Sequence, residues 1–173
     1  VVLPKSIQRV DVSVIGGRIN AIGNDIEGVG KLIDAEGLTL LPGMIDPQVH
    51  FREPGAEQKE DLHSGSCAAA AGGITSFLDM PNNTPPIITR KRMAEKKKLA
   101  AEKSVVNYGF FIGATPDNLE ELNAVENVCG IKIFMGSSTG DLLVHEPQVL
   151  EKIFSNGSRL IAVHAEDETI LRE

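Results

Sequence analysis

Apolar and polar positions alternate with two different periods along the chain, and the change falls near residue 41. Before it, apolar and polar residues alternate from Val10 to Val14. The pair Gly16-Gly17 follows, and Ile19 and Ile22 come next, which predicts a β-hairpin. Two further short strands are predicted at 32–34 and 38–40, around a turn at 36–37. So few short strands do not make an independently stable fold.

After residue 41, strand patterns alternate with helix patterns, which is typical of parallel βα units. Strands are predicted at 41–50, 75–80, 108–113, 130–135 and 159–164, and helices at 62–71, 89–103, 116–126 and 146–155. Such units build a doubly wound sheet or a (β/α)₈ barrel. No Gly-x-Gly-x-x-Gly follows a strand, which argues against a dinucleotide-binding sheet. Five strands cannot close an eight-stranded barrel. We therefore expect an α/β fold, a TIM-like barrel with about five of its βα units, from the N-terminal portion of a longer protein.

Composition narrows the functional classes. The chain has 173 residues, 42% of them hydrophobic, and a net charge of -7. This composition is globular and argues against a nucleic-acid partner, which would need clustered Lys and Arg. The basic residues between Arg90 and Lys98 are interpreted as the solvated face of a helix. No apolar run has membrane length. Cys67 and Cys129 fit no zinc or disulfide framework and are predicted to be buried thiols of a cytoplasmic protein.

Polar side chains cluster at the end of the first strand of the alternating region. Side chains alternate between the two faces of a strand, so Asp46, Gln48, His50 and Arg52 are predicted to share one face. Four such groups are costly to bury without partners, which favours a functional site over a merely polar strand end.

Three further polar residues are assigned to the C-terminal ends of later strands, where chemistry sits in barrels: Asn82, Lys132 and His164. Lys132 has apolar neighbours on both sides, which predicts a buried amine with a lowered pKa. The alternative is a lysine that reaches solvent from a sheet edge. A single histidine is equally explained as a satisfied polar group, and Asn82 as a turn residue. His63 and His145 are predicted to be surface histidines, and the loop 136–140 to shape the mouth of a pocket.

The run Asp-Pro-Gln-Val-His-Phe-Arg-Glu-Pro-Gly at 46–55 resembles the first barrel strand of the amidohydrolases, in their dihydroorotase, hydantoinase and allantoinase branch. That branch usually carries Asp-x-His-x-His, so Gln48 stands in place of the first histidine. The resemblance implies that residues 1–41 are part of a small β-sandwich. It also implies that residues 42–173 are the first half of a metal-dependent amidohydrolase barrel.

The resemblance also implies a site. His50, His164 and a carboxylated Lys132 would be ligands of zinc, as one or two ions. Arg52 and Asn82 would bind a substrate carboxylate, as in dihydroorotases. The implied reaction is the interconversion of carbamoyl-aspartate and dihydroorotate in pyrimidine synthesis, by a zinc-activated hydroxide. The Asp base is expected beyond Glu173, so the present chain alone is expected to be inactive.

Two alternatives stay open. A hydantoinase or allantoinase would use the same metal ligands, although hydantoins lack the carboxylate that Arg52 would bind. A non-catalytic relative would instead assemble with a partner such as aspartate carbamoyltransferase, and Gln48 is the feature in its favour. With Gln48, the expected outcomes are one zinc ion, a weakened two-metal site or no metal, and a single zinc is favoured. The expected partners are a small-molecule substrate and further copies of the full-length chain, in the cytoplasm, with neither nucleic acid nor membrane.

Overall fold

A computed structural model describes residues 1–28, 30–136, 142–156, 159–167 and 170. The chain forms two compact units, Val1–Gly43 and Met44–Glu173. The first contains four short strands that form two antiparallel pairs: β1 (Val2–Leu3) with β2 (Ser6–Ile7), and β3 (Asp11–Ile15) with β4 (Arg18–Gly23). Gly16 and Gly17 have φ of 58° and 74°, a conformation that glycine adopts without a steric penalty. The predicted hairpin is therefore confirmed, and the predicted sandwich stays a prediction.

The prediction of strands at 32–34 and 38–40 was wrong, because the described residues of these two segments form no strand. The turn between them is present, and the Leu38 N–H donates to the Ala35 carbonyl at 3.0 Å. A strand exists only where a neighbouring strand accepts and donates its backbone hydrogen bonds. Alternating apolar residues cannot supply that neighbour, and Leu32 and Ile33 are 88% and 73% exposed.

The second unit is a sheet of five parallel strands with helices between them. Its strands are β5 (Met44–Val49), β6 (Ile74–Asp79), β7 (Asn107–Gly113), β8 (Gly130–Phe134) and β9 (Ile161–His164). Its helices are α1 (Leu62–Ala71), α2 (Arg90–Lys103), α3 (Leu119–Ala124) and α4 (Pro147–Ser155). Each strand pairs with the next one in the chain, and the order does not reverse. A doubly wound sheet would reverse its order, so this topology is that of part of a barrel.

Local sequence signals set the ends of the helices. The Asp61 side chain accepts from the Ser64 N–H and so caps the first turn of α1, while Thr89 caps α2 in the same way through the Arg92 N–H. After α1 the chain leaves the helix at Gly73, whose φ is 82°. None of the described helices is long and apolar enough to cross a membrane.

The run of cysteine and alanines at 67–71 makes one part of α1 apolar in sequence and would predict that this part is buried, but the helix buries other residues. Cys67 and most of the alanines after it are exposed, while Leu62, Gly65 and Ser66 are buried. Five consecutive residues span more than a full turn, so they cannot share one face. The prediction of two buried thiols was accordingly wrong, because Cys67 is exposed and Cys129 is half-buried.

We expect Gly65→Ala to destabilise the protein by about 1–3 kcal/mol through overpacking. A Cβ at Gly65 would lie 2.6 Å from the Phe51 ring, which is itself part of the core. Gly72→Ala is the control, because its Cβ would meet only two carbonyl oxygens at 3.5 Å. Urea unfolding of both variants measures the difference. Equal stabilities would contradict this account of the helix contact.

Candidate active site

The side chains of the five parallel strands lie on two faces of the sheet. Phe77, Phe110, Ile112, Ile131 and Ile133 are buried in the hydrophobic core, together with residues of the four helices. Because side chains alternate along a strand, the residues between them face the opposite side of the sheet. That opposite side is the one that would line the interior of a barrel.

Lys132, Phe134 and His164 lie together on this inner side. Lys132 and Phe134 are two residues apart in β8, and Phe134 is in register with His164 of β9. The Phe134 ring lies near both groups, with its centroid 5.2 Å from Lys132 Nζ and 6.4 Å from the centre of the imidazole. Two of the three predicted metal ligands are therefore neighbours of the same ring.

Lys132 is buried, as its apolar neighbours in the sequence predicted, with an exposed fraction of 3%. Its ammonium makes no hydrogen bond or ion pair with another residue in the described part of the chain. It lies over the face of the Phe134 ring. Burial lowers the pKa of Lys132 because the charged form is poorly solvated. A larger share of neutral amine, the form that reacts with electrophiles, is therefore present than in an ordinary lysine.

His164 stands at the end of β9, partly open to solvent. Its Nε2 lies 3.1 Å from a carboxylate oxygen of Glu166, two residues further along. A carboxylate beside an imidazole fixes the orientation of the ring.

His50 follows β5 and is held by Asn82, which follows β6. The Nδ1 of His50 lies 2.7 Å from the side-chain oxygen of Asn82. An amide oxygen only accepts hydrogen bonds, so Nδ1 carries the proton and the lone pair of a neutral ring is on Nε2. Asn82 was predicted to bind substrate. The contact shows that Asn82 also orients the ring of His50.

The predicted alternation along β5 is interrupted. Asp46 is in register with Phe77, but Val49 is in register with Asp79, so an additional residue is accommodated between them. The Asp46 carboxylate accepts from the Gln48 N–H at 3.1 Å within this irregular segment. Because a bulge shifts the face of every later side chain, Asp46 is out of phase with His50.

Arg52 lies in the loop after β5, between Phe51 and Glu53. Both neighbours are buried on the helix side, where the Glu53 carboxylate accepts from the Leu62 N–H at 2.9 Å. Arg52 is half-buried. Its guanidinium makes no hydrogen bond or ion pair with any residue that the structure describes, while its backbone N–H donates to the Glu60 carbonyl at 3.0 Å. A fixed backbone and an unoccupied guanidinium suit the binding of an external anion.

Sequence reasoning missed an ion pair beneath this loop. Lys96 is 1% exposed, and its Nζ lies 2.6 Å from Asp79, whose side chain is completely buried. Lys96 was assigned to a solvated helix face, which was wrong. The spacing of Met93, Lys96 and Ala100 was the available signal, because these positions form one stripe of a helix and all three are buried.

The other predictions for the site have mixed outcomes. His63 and His145 are exposed, as predicted. Of the predicted pocket loop, residues 137–140 lie outside the described residues. Among those described, no three His, Cys, Asp or Glu side chains form a group that could hold a metal ion. The predicted metal ligands are two histidines and a lysine, so they are not a group of three His, Cys, Asp or Glu side chains.

Comparison with known proteins agrees with this fold. A family model described as the amidohydrolase family matches residues 39–153. A dihydroorotase of Methanosarcina acetivorans is 41% identical over 97% of this chain and 37% of its own length. An allantoinase of Deinococcus radiodurans is 36% identical over 99% of this chain and 40% of its own. The structure of an L-hydantoinase from Arthrobacter aurescens superposes with a TM-score of 0.86, at 32% identity over 97% of this chain and 39% of that one.

The chain belongs to the amidohydrolase family. The predicted α/β barrel fold is confirmed by the parallel sheet and by this structural likeness. The chain spans about two fifths of the length of the curated relatives named above.

Proposed function

We propose that the protein containing this chain is a cytoplasmic cyclic amidohydrolase of the dihydroorotase type, which interconverts carbamoyl-aspartate and dihydroorotate. The observation that carries the proposal is the guanidinium of Arg52, half-buried and without a partner among the described residues, in the loop directly after His50. Both forms of this substrate carry a carboxylate, and a guanidinium pairs with a carboxylate through two parallel hydrogen bonds.

The proposed donors for a zinc ion are His50, His164 and Lys132. His50 offers Nε2, because its Nδ1 is held by Asn82, and His164 offers a second imidazole. Lys132 offers a buried amine that becomes an anionic ligand once it is carboxylated. When bound, zinc supplies a Lewis acid that polarises a carbonyl and lowers the pKa of water. Because an amide is a poor zinc ligand, Gln48 favours one ion over two.

The residues of this chain would bind and orient the substrate. Arg52 would pair with its carboxylate, and the amide nitrogen of Asn82 would donate to the same group while its oxygen keeps the His50 ring in place. The proton transfer to the leaving nitrogen is assigned to an Asp beyond Glu173.

The second candidate is a hydantoinase or allantoinase, favoured by the similarity to both kinds of protein. The third is a non-catalytic relative, favoured by Gln48. The zinc content of the full-length protein and its relative turnover of dihydroorotate, hydantoin and allantoin separate them. Preference for hydantoin or allantoin refutes the dihydroorotase assignment. Absence of both zinc and turnover supports the non-catalytic relative.

Arg52→Met tests the carboxylate assignment directly. We expect KM for carbamoyl-aspartate to rise roughly 10- to 100-fold, because hydrogen bonds to charged groups are worth about 1.5–3 kcal/mol. We expect kcat to change much less, since the carboxylate is remote from the reacting amide. Arg92→Met is the matched control, because the Arg92 guanidinium donates instead to the Pro86 carbonyl at 3.0 Å. Similar KM values in the Arg52 variant and the parent protein would refute the proposed role.

A further inference from the structure

A buried polar network joins the β6 strand, the loop after it and α2. It consists of Asp79, Asn83 and Lys96, whose exposed fractions are 0%, 8% and 1%. Lys96 Nζ lies 2.6 Å from an Asp79 carboxylate oxygen and donates to the side-chain oxygen of Asn83, also at 2.6 Å. The Phe110 ring centroid lies 4.9 Å from the same ammonium. The lysine therefore holds the other two side chains in one arrangement.

The two side chains that Lys96 joins bind the backbone on both sides of Arg52. The other Asp79 carboxylate oxygen accepts from the Phe51 N–H at 3.0 Å. The Asn83 amide nitrogen donates to the Phe51 carbonyl at 3.1 Å and to the Glu53 carbonyl at 3.0 Å. The peptide group directly before Arg52 and the one that follows Glu53 are thus tied to β6 and the loop after it, and through Lys96 to α2.

Packing alone does not require a network of this kind. Apolar side chains of similar volume stabilise a core at least as well as a buried ion pair, which loses solvation. Directional hydrogen bonds accomplish what apolar contacts do not, because they fix a loop backbone to within a fraction of an ångström. The bonds at this site converge on the loop that carries Arg52 and begins at His50.

We propose that Asn83, together with Lys96 and Asp79, positions Arg52 for the substrate carboxylate; this inference rests on the proposed function. Asn83 and its two partners act through the loop backbone. They are positioning residues and touch no reacting atom. Their loss is expected to weaken substrate binding more than the chemical step.

Asn83→Ala in the full-length protein is the test, and Asn118→Ala is its matched control. Asn118 is also 8% exposed, and its amide nitrogen also donates to two carbonyls, those of Ile88 and Gly113, at 3.0 and 2.8 Å. Its side-chain oxygen accepts from the Thr115 N–H. The two substitutions therefore remove a similar set of bonds, but only the first set holds the loop of Arg52.

We expect Asn83→Ala to raise KM for carbamoyl-aspartate about tenfold with a smaller change in kcat, since a small misplacement of a binding group has effects of this order. Asn118→Ala should leave KM within about twofold. In an Arg52→Met background, Asn83→Ala should have no further effect on KM, because a residue that acts through Arg52 is not additive with it. Equal KM changes in the two asparagine variants, or additive effects with Arg52→Met, would overturn the inference.

Hydrogen–deuterium exchange provides a measurement that does not depend on the reaction. Asn83→Ala should speed exchange in the peptide that covers 51–56, and Asn118→Ala should not. Unchanged exchange there overturns the inference. If the parent protein does not turn over carbamoyl-aspartate, the proposed function fails, and the assignment of a substrate carboxylate to Arg52 fails with it. Faster exchange in that case would show that the network orders the loop.

Discussion

Replacing Lys132 with methionine is expected to lower kcat of the full-length protein by on the order of 10³ or more, with loss of bound zinc, as removal of a metal ligand does. Lys132 has no ion pair or hydrogen bond among the described residues that its replacement would break. Its burial lowers its pKa, so the folded protein bears the cost of a poorly solvated amine. Methionine has a similar length and no charge to solvate. We therefore expect the metal-free variant to be as stable as the metal-free parent protein, or more stable.

The opposite signs of these two effects make the experiment decisive. Metal analysis and kcat are measured for Lys132→Met as purified, and the midpoint of urea unfolding is compared with that of the parent after metal has been removed from both. The control is Lys152→Met, which changes an exposed lysine in the last turn of α4. Carbon-13 spectra of protein grown with labelled bicarbonate report directly on the carboxylated amine. Full activity and full metal content in Lys132→Met would eliminate Lys132 as a ligand.

The second large effect concerns stability. We expect Lys96→Met to lower the free energy of unfolding by about 3–5 kcal/mol, because it leaves the buried Asp79 carboxylate without a counter-charge. The double variant Asp79→Asn/Lys96→Met should recover at least half of that loss, because neither charge then remains. Lys98→Met, on the exposed face of the same helix, should change stability by less than about 0.5 kcal/mol. A loss in Lys96→Met no larger than in Lys98→Met would contradict the ion pair.

The loss in Lys96→Met should also depend on pH. Burial raises the pKa of Asp79, and the variant lacks the ammonium that opposes this rise. Asp79 in the folded variant then binds a proton more tightly than in the unfolded chain. The free energy of unfolding of the variant therefore falls as pH rises from the ordinary pKa of Asp79 to its raised pKa. The destabilisation is complete above the raised pKa and shrinks as pH falls toward the ordinary value of 3.8. Urea unfolding at a series of pH values measures this trend, and a loss that grows toward acid pH would contradict it.

Much of the fold could be predicted from local signals. The extent of α1 and the starts of α2 and β8 follow from caps, glycines and the change of hydrophobic period, and the structure has them within a residue or two. The burial of Lys132 was also predictable, since its neighbours in β8 are apolar. These features depend on residues close in the chain, whose interactions do not require knowledge of the partner element.

Other features depended on contacts that no local pattern contains. The phase of Asp46 was mispredicted because a bulge is set by the pairing of β5 with β6. The buried face of α1 depends on how closely Gly65 approaches Phe51, and a run of alanines carries too weak a pattern to show it.

The sequence by itself determined the alternation of strands and helices, the placement of His50 and His164 at strand ends and of Lys132 within an apolar strand, and the resemblance to amidohydrolases. Only the tertiary structure decided that Lys96 is buried and that Asn82 holds His50. It also decided that the backbone around Arg52 is bound by Asp79 and Asn83. The physical reason is that burying the ammonium of Lys96 costs solvation, which Asp79, a partner distant in the chain, compensates. That partner is known only once the elements have been packed together.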